Sequence, residues 1–110
     1  MAVARASSDA FNAVADPTRR AMLERLAEPG AERTAGELGA DFGLSQPTVS
    51  QHLKVLRESR LVRAEPKGAS NIYHIDPAGL AQMRAWLDRF WSSTLAAYKV
   101  AVEKSVEDQQ

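Results

Sequence analysis

Four helix starts are written into this chain as side-chain caps, and only one stretch between them breaks the helical period. Asp16-Pro17 reads as an N-cap followed by proline at the first helical position. Thr34-Ala35-Gly36-Glu37 has the capping-box pattern, in which the threonine hydroxyl and the third-position carboxylate satisfy each other's backbone amides. Ser45 caps a helix that tolerates Pro47 in its first turn. Asp76-Pro77 repeats the Asp-Pro start. Between the last two lies Leu61-Val62-Arg63-Ala64-Glu65, which alternates as a strand does. The turn chemistry of Lys67-Gly68-Ala69-Ser70-Asn71 follows, and then the β-favouring run Ile72-Tyr73-His74-Ile75. These two strands make a hairpin. The pattern predicts a mainly α chain with a small β-hairpin (α+β) in the order α-α-α-α-β-β-α.

The apolar positions support the same elements. Phe11 and Val14 suggest a short first helix. Met22, Leu23 and Leu26 stripe the second, which Pro29-Gly30 stops. Leu38 and Phe42 belong to the third, and the fourth is expected to run to about Ser59. The last is expected to end near Lys104, with Leu80, Met83, Leu87, Phe90, Trp91, Leu95, Tyr98 and Val102 on one face. A chain of 110 residues is one small domain. Residues 1–8 and 105–110 read as flexible ends, and 9–104 as the folded unit.

Several function classes drop out. No apolar run is long enough to cross a membrane, and Arg5 is not followed by the apolar block of a signal peptide, so the expected address is cytoplasmic. The absence of cysteine removes disulfides, thiolate metal sites and thiol nucleophiles. Ser50 and His52 point about 200° apart on a helix and cannot share a proton. His74 stands alone on its strand, where a surface or wing position is expected. There is no glycine-rich phosphate loop, nucleophile elbow or carboxylate pair. An enzyme is not expected, nor any metal or cofactor.

Net charge is zero, so a case for nucleic acid rests on charge placement. Between residues 46 and 70, Lys54, Arg57, Arg60, Arg63 and Lys67 face only Glu58 and Glu65. Two short helices with a glycine turn, followed by a hairpin, make a winged helix-turn-helix. In the helix after Ser45, Val49, Leu53 and Leu56 form the buried stripe at about 100° per residue. Pro47, Gln51, Lys54 and Glu58 lie opposite, with Ser50 and Arg57 beside them. Amide, hydroxyl and cationic groups are what a major groove requires, because glutamine pairs with adenine and lysine or arginine with guanine. An ordinary solvated face is the competing reading, and the surrounding capped-helix, turn and hairpin order weighs against it.

The stretches 11–20 (FNAVADPTRR), 44–57 (LSQPTVSQHLKVLR) and 73–77 (YHIDP) resemble the ArsR family of winged-helix repressors, over about residues 9 to 100. The resemblance implies double-stranded DNA as partner, with Gln46, Thr48, Ser50, Gln51 and Lys54 facing it and His52 near the backbone. The hairpin becomes the wing, with Lys67 near its tip. Pro47, Arg57 and Arg63 complete the expected DNA-binding set. It also implies a homodimer formed by the first and last helices, which assigns Phe11, Leu80, Met83, Trp86, Leu87, Phe90, Trp91, Leu95 and Tyr98 to the interface. A last helix about 40 Å long is more than so small a domain can cover. Purely intramolecular packing of the stripe is the competing reading. A twofold dimer implies a roughly palindromic operator.

Three departures from the family pattern matter. The region 34–42 lacks the cysteine motif of the metal sensors, and the last helix has Asp88 and Glu103 but no histidine, so a metal site is not expected. Arg60 stands where the family places glycine. The wing is poor in arginine, which weakens the expectation of minor-groove insertion. The aromatic stripe also offers a place for an unknown small-molecule inducer, although such stripes are more often core. The rival function is a winged helix that binds protein and has no operator of its own.

Overall fold

A computed structural model of the chain describes the backbone of residues 2–108 and the side chains from Ser8 onward. The caps hold as read. The Asp16 carboxylate accepts from the amides of Thr18 (2.8 Å) and Arg19 (3.1 Å), and Pro17 opens α2, Pro17–Ala27. Thr34 and Glu37 form the reciprocal capping box of α3, Ala35–Phe42. Gly43, at φ 64°, ends α3 in the left-handed region, and Ser45 caps α4, Gln46–Glu58.

Helix α1 spans Ala2–Ala15, longer than its two apolar positions suggested, because the alanine-rich residues before Phe11 contain no breaker. Likewise α5 runs over Pro77–Asp108, past Lys104, where no glycine or proline stops it. The wing strands are β2, Val62–Lys67, and β3, Ser70–Ile75. Their two-residue loop places Gly68 at φ 62°, which suits a tight hairpin turn.

The expected element order needs one addition. Arg33–Thr34 forms a two-residue strand, β1, antiparallel to β3, with Arg33 opposite Tyr73 and Thr34 opposite Ile72. The sheet order is β1-β3-β2. Two residues carry no readable period, and Thr34 also serves as the cap of α3. Pro66 is tolerated because β2 is an edge strand.

The core lies between α2, α3, α4 and the inner face of the sheet. Met22, Leu38, Val49, Leu53, Leu56, Leu61 and Val62 are all but fully buried in it. Full burial of such side chains stabilises by about 1.5–3 kcal/mol each. Arg25 and Arg33 both approach the Asp41 carboxylate, at 3.2 and 3.5 Å, and tie α2 and β1 to α3. Helix α5 leans on α1 near its start, where the rings of Phe11 and Trp86 meet edge to face at 5.4 Å.

Candidate nucleic-acid interface

The geometry of α4 follows from its two ends. At its start the Ser45 hydroxyl accepts from the Thr48 amide and lies 2.9 Å from the Thr48 hydroxyl. At its end the Leu61 amide donates to the Leu56 carbonyl (2.9 Å) and the Arg60 amide to that of Arg57 (3.0 Å). That pair of bonds is a Schellman motif, with Leu56 and Leu61 both buried as its apolar contact. The left-handed position belongs to Arg60, at φ 58°, the one non-glycine residue with positive φ among those described.

With Val49, Leu53 and Leu56 turned into the core, α4 presents Gln46, Pro47, Thr48, Ser50, Gln51, Lys54 and Arg57 to solvent. His52 is half-buried on α4. Backbone amides, that of Arg19 first and that of Thr18 after it, hold the Asp16 carboxyl below the usual carboxylate range. The Arg19 amide is the largest of these influences. Arg63 is exposed on β2, and Lys67 is exposed beside the hairpin turn. α4 therefore exposes amide, hydroxyl and cationic groups, and the hairpin exposes two further cations.

The residues expected at a dimer face separate into two groups. Met83 is half-buried and packs against the chain's own core, and Phe11 is half-buried against Trp86. Leu80, Trp86, Leu87, Phe90, Trp91, Leu95 and Tyr98 remain between 42% and 68% exposed. Trp86 and Phe90 stack at 5.3 Å.

His74 is not alone. Its ring lies 2.8 Å from Glu65 and 3.6 Å from Glu32. The hairpin register brings these groups together, and it was readable only once Gly68-Ala69 was placed as the turn. Sequence reasoning also missed Arg19, whose guanidinium donates to the carbonyls of Ala13 (2.7 Å) and Asn12 (3.2 Å) and so clamps α1 to α2.

A family model described as bacterial regulatory protein, arsR family, matches residues 16–64. The chain is 44% identical to the HTH-type transcriptional regulator Rv2034 of Mycobacterium tuberculosis, over 98% of this chain and 99% of that protein. The chain belongs to the ArsR family. It is also similar to the transcriptional repressor SdpR of Bacillus subtilis, at 31% identity over 76% of this chain and 90% of that protein. Among solved structures, an ArsR-like transcriptional regulator from Rhodococcus sp. RHA1 superposes with a TM-score of 0.76 at 26% identity, covering 92% of this chain and 96% of that one. This ArsR-family chain is a DNA-binding transcriptional regulator on a winged helix-turn-helix scaffold. No helix among the described residues is long and apolar enough to cross a membrane.

Proposed function

We propose that this regulator represses transcription in the cytoplasm as a homodimer, with its two α4 helices in successive major grooves of a near-palindromic operator. The observation that carries this reading is the exposed face of α4, where Gln46, Ser50, Gln51 and Lys54 stand together opposite a fully buried stripe. Gln51 and Lys54 supply the hydrogen-bonding groups that read base edges. Arg57, Arg63 and Lys67 supply charge for phosphate.

The second copy is argued from α5. Leu80, Leu87, Trp91, Leu95, Tyr98 and Val102 fall on one side of this helix, and all are exposed in a single chain. An apolar strip of that length on a small protein marks an interaction surface. A twofold axis through paired α5 helices sets the recognition helices about 34–36 Å apart, one turn of DNA.

The test selects genomic fragments of the source organism with the purified chain, then measures their affinity by fluorescence anisotropy. The expected result is an inverted repeat bound by two chains, about 10³-fold more tightly than scrambled DNA. Affinity is expected to fall at least about 10³-fold between about 50 and 200 mM salt. No enrichment of any fragment would overturn the reading and favour a winged helix that docks on protein.

A further inference from the structure

We propose that Gly79 is a positioning residue that sets which half-site spacing the regulator accepts in its operator. This rests on the paired α5 helices proposed above and adds what fixes their angle to α4.

The joint between the two helices is built from backbone. Gly79 is the one buried residue of α5, and its amide donates to the Arg60 carbonyl at 2.7 Å. The Asp76 amide donates to the Leu61 carbonyl at 2.9 Å. Both acceptors belong to the corner that closes α4, where Arg60 holds φ 58°. That corner is fixed from its other side as well. The Arg60 and Leu61 amides donate back into α4, and the Ser59 hydroxyl donates to the carbonyls of Val55 (2.9 Å) and Leu56 (3.1 Å). The Asp76 carboxylate accepts from the Ala78 amide at 3.0 Å and holds the first turn of α5. A Cβ on Gly79 would come within 2.6 Å of the Ser59 oxygen and 2.7 Å of the Arg60 oxygen, so no side chain fits between the helices here. Backbone contact, rather than rotamers that can yield, therefore sets the angle between α4 and α5.

That angle is amplified along α5. A Cβ at Gly79 must move off by about 0.4–0.8 Å to reach a tolerable contact of 3.0–3.4 Å. Met83 packs on the core and serves as the fulcrum, about 6 Å further along the helix. Leu95, in the middle of the exposed strip, lies about 18 Å beyond Met83. The same tilt therefore carries Leu95 by about 1–2.5 Å. Two protomers add, so the recognition helices shift relative to each other by up to about 5 Å, against about 3.4 Å for one base pair. Absence of a side chain at Gly79 thus selects one spacing among its neighbours.

The experiment rebuilds the selected inverted repeat with its central spacer shortened or lengthened by one and two base pairs. Affinity for each is measured by anisotropy for wild type, Gly79→Ala and Asp76→Ala, with dimerisation checked by sedimentation. Wild type is expected to lose about tenfold or more for one base pair of error, the cost of deforming DNA to fit. Gly79→Ala should remain dimeric and move the optimum by about one base pair, with the base preference inside each half-site unchanged. A merely structural role would weaken binding on all spacers alike and leave the optimum in place. That result overturns this inference while the DNA reading stands. Absence of specific binding by wild type on every spacer would overturn both. If Gly79→Ala fails to fold, judged by circular dichroism, Asp76→Ala decides. It keeps Gly79 but removes the cap of that turn, and should accept a broader range of spacers. Wild-type breadth in that variant would overturn the proposal.

Discussion

The amide of Gly79 donates to the carbonyl of Arg60 across 2.7 Å, which seats the first turn of α5 on the last turn of α4. The Asp76 amide reinforces this joint by donating to the Leu61 carbonyl at 2.9 Å. The helix proposed to face DNA and the helix proposed to hold the partner thus share one backbone junction. A displacement of α5 reaches α4 through hydrogen bonds rather than through a flexible linker.

Gly79→Ala tests the joint. A Cβ at Gly79 would lie 2.6 Å from the Ser59 carbonyl oxygen and 2.7 Å from that of Arg60, so the two helices have to separate. Overpacking of this kind costs about 1–3 kcal/mol. The expected outcome is a lower urea midpoint at unchanged m-value, together with weaker operator binding. Wild-type stability would mean that the α4–α5 contact is looser than described.

Arg60→Gly addresses the other half of the pair. Arg60 holds φ 58° at the position where a Schellman motif favours glycine. Relief of that conformation contributes about 1 kcal/mol, part of which is offset by the freer unfolded chain. The melting temperature should stay level or rise. A clear fall would show that the arginine side chain stabilises the corner by contacts that outweigh its backbone.

Arg60 also shows how much of the fold was legible. The Asp16, Thr34 and Ser45 caps, the buried stripe of α4 and the strained arginine are local features, encoded within four or five residues and readable from them. β1 was not legible, since two residues have no period and its pairing with β3 is a long-range event. The Glu32–His74–Glu65 clasp was hidden for the same reason, because it depends on register across three segments. Exposure of the side chains proposed to face DNA followed from helical phase alone. His52, beside the buried Leu53 on α4, proved half-buried.

The N-caps set the acid limit of stability. Asp16 and Glu37 are held below the usual carboxylate range, first by the Arg19 and Thr34 amides respectively. A depressed carboxylate contributes stability that is present above its unfolded value and is lost as pH falls through its folded value. The midpoint of thermal unfolding should therefore drop below about pH 4. Asp16→Ala should lower the melting temperature at pH 7, and much less at pH 2. An equal cost at both values would assign the effect to packing instead of charge.

Leu95→Glu tests the second copy. Leu95 is 44% exposed in the single chain, so a carboxylate there costs the monomer little. In a paired α5 it would be buried without a partner, at a cost of several kcal/mol. Sedimentation should show a monomer that melts without dependence on protein concentration and binds the operator weakly. A variant that remains dimeric would place the dimer face elsewhere.

Gln51→Ala and Lys67→Ala separate reading from holding. Gln51 is exposed near the middle of the outward face of α4, where an amide can pair with one base edge. Its loss should cost about 1–3 kcal/mol on the operator and relax the preference at one base position, leaving scrambled DNA bound as before. Lys67 lies beside the wing turn and is proposed to meet phosphate, which carries no sequence. Its loss should weaken operator and scrambled DNA alike and reduce the salt slope by about one unit. Affinity on both duplexes across a salt series distinguishes the two patterns. If Lys67→Ala spares scrambled DNA while Gln51→Ala weakens it, the assignment of helix to groove and wing to backbone is reversed.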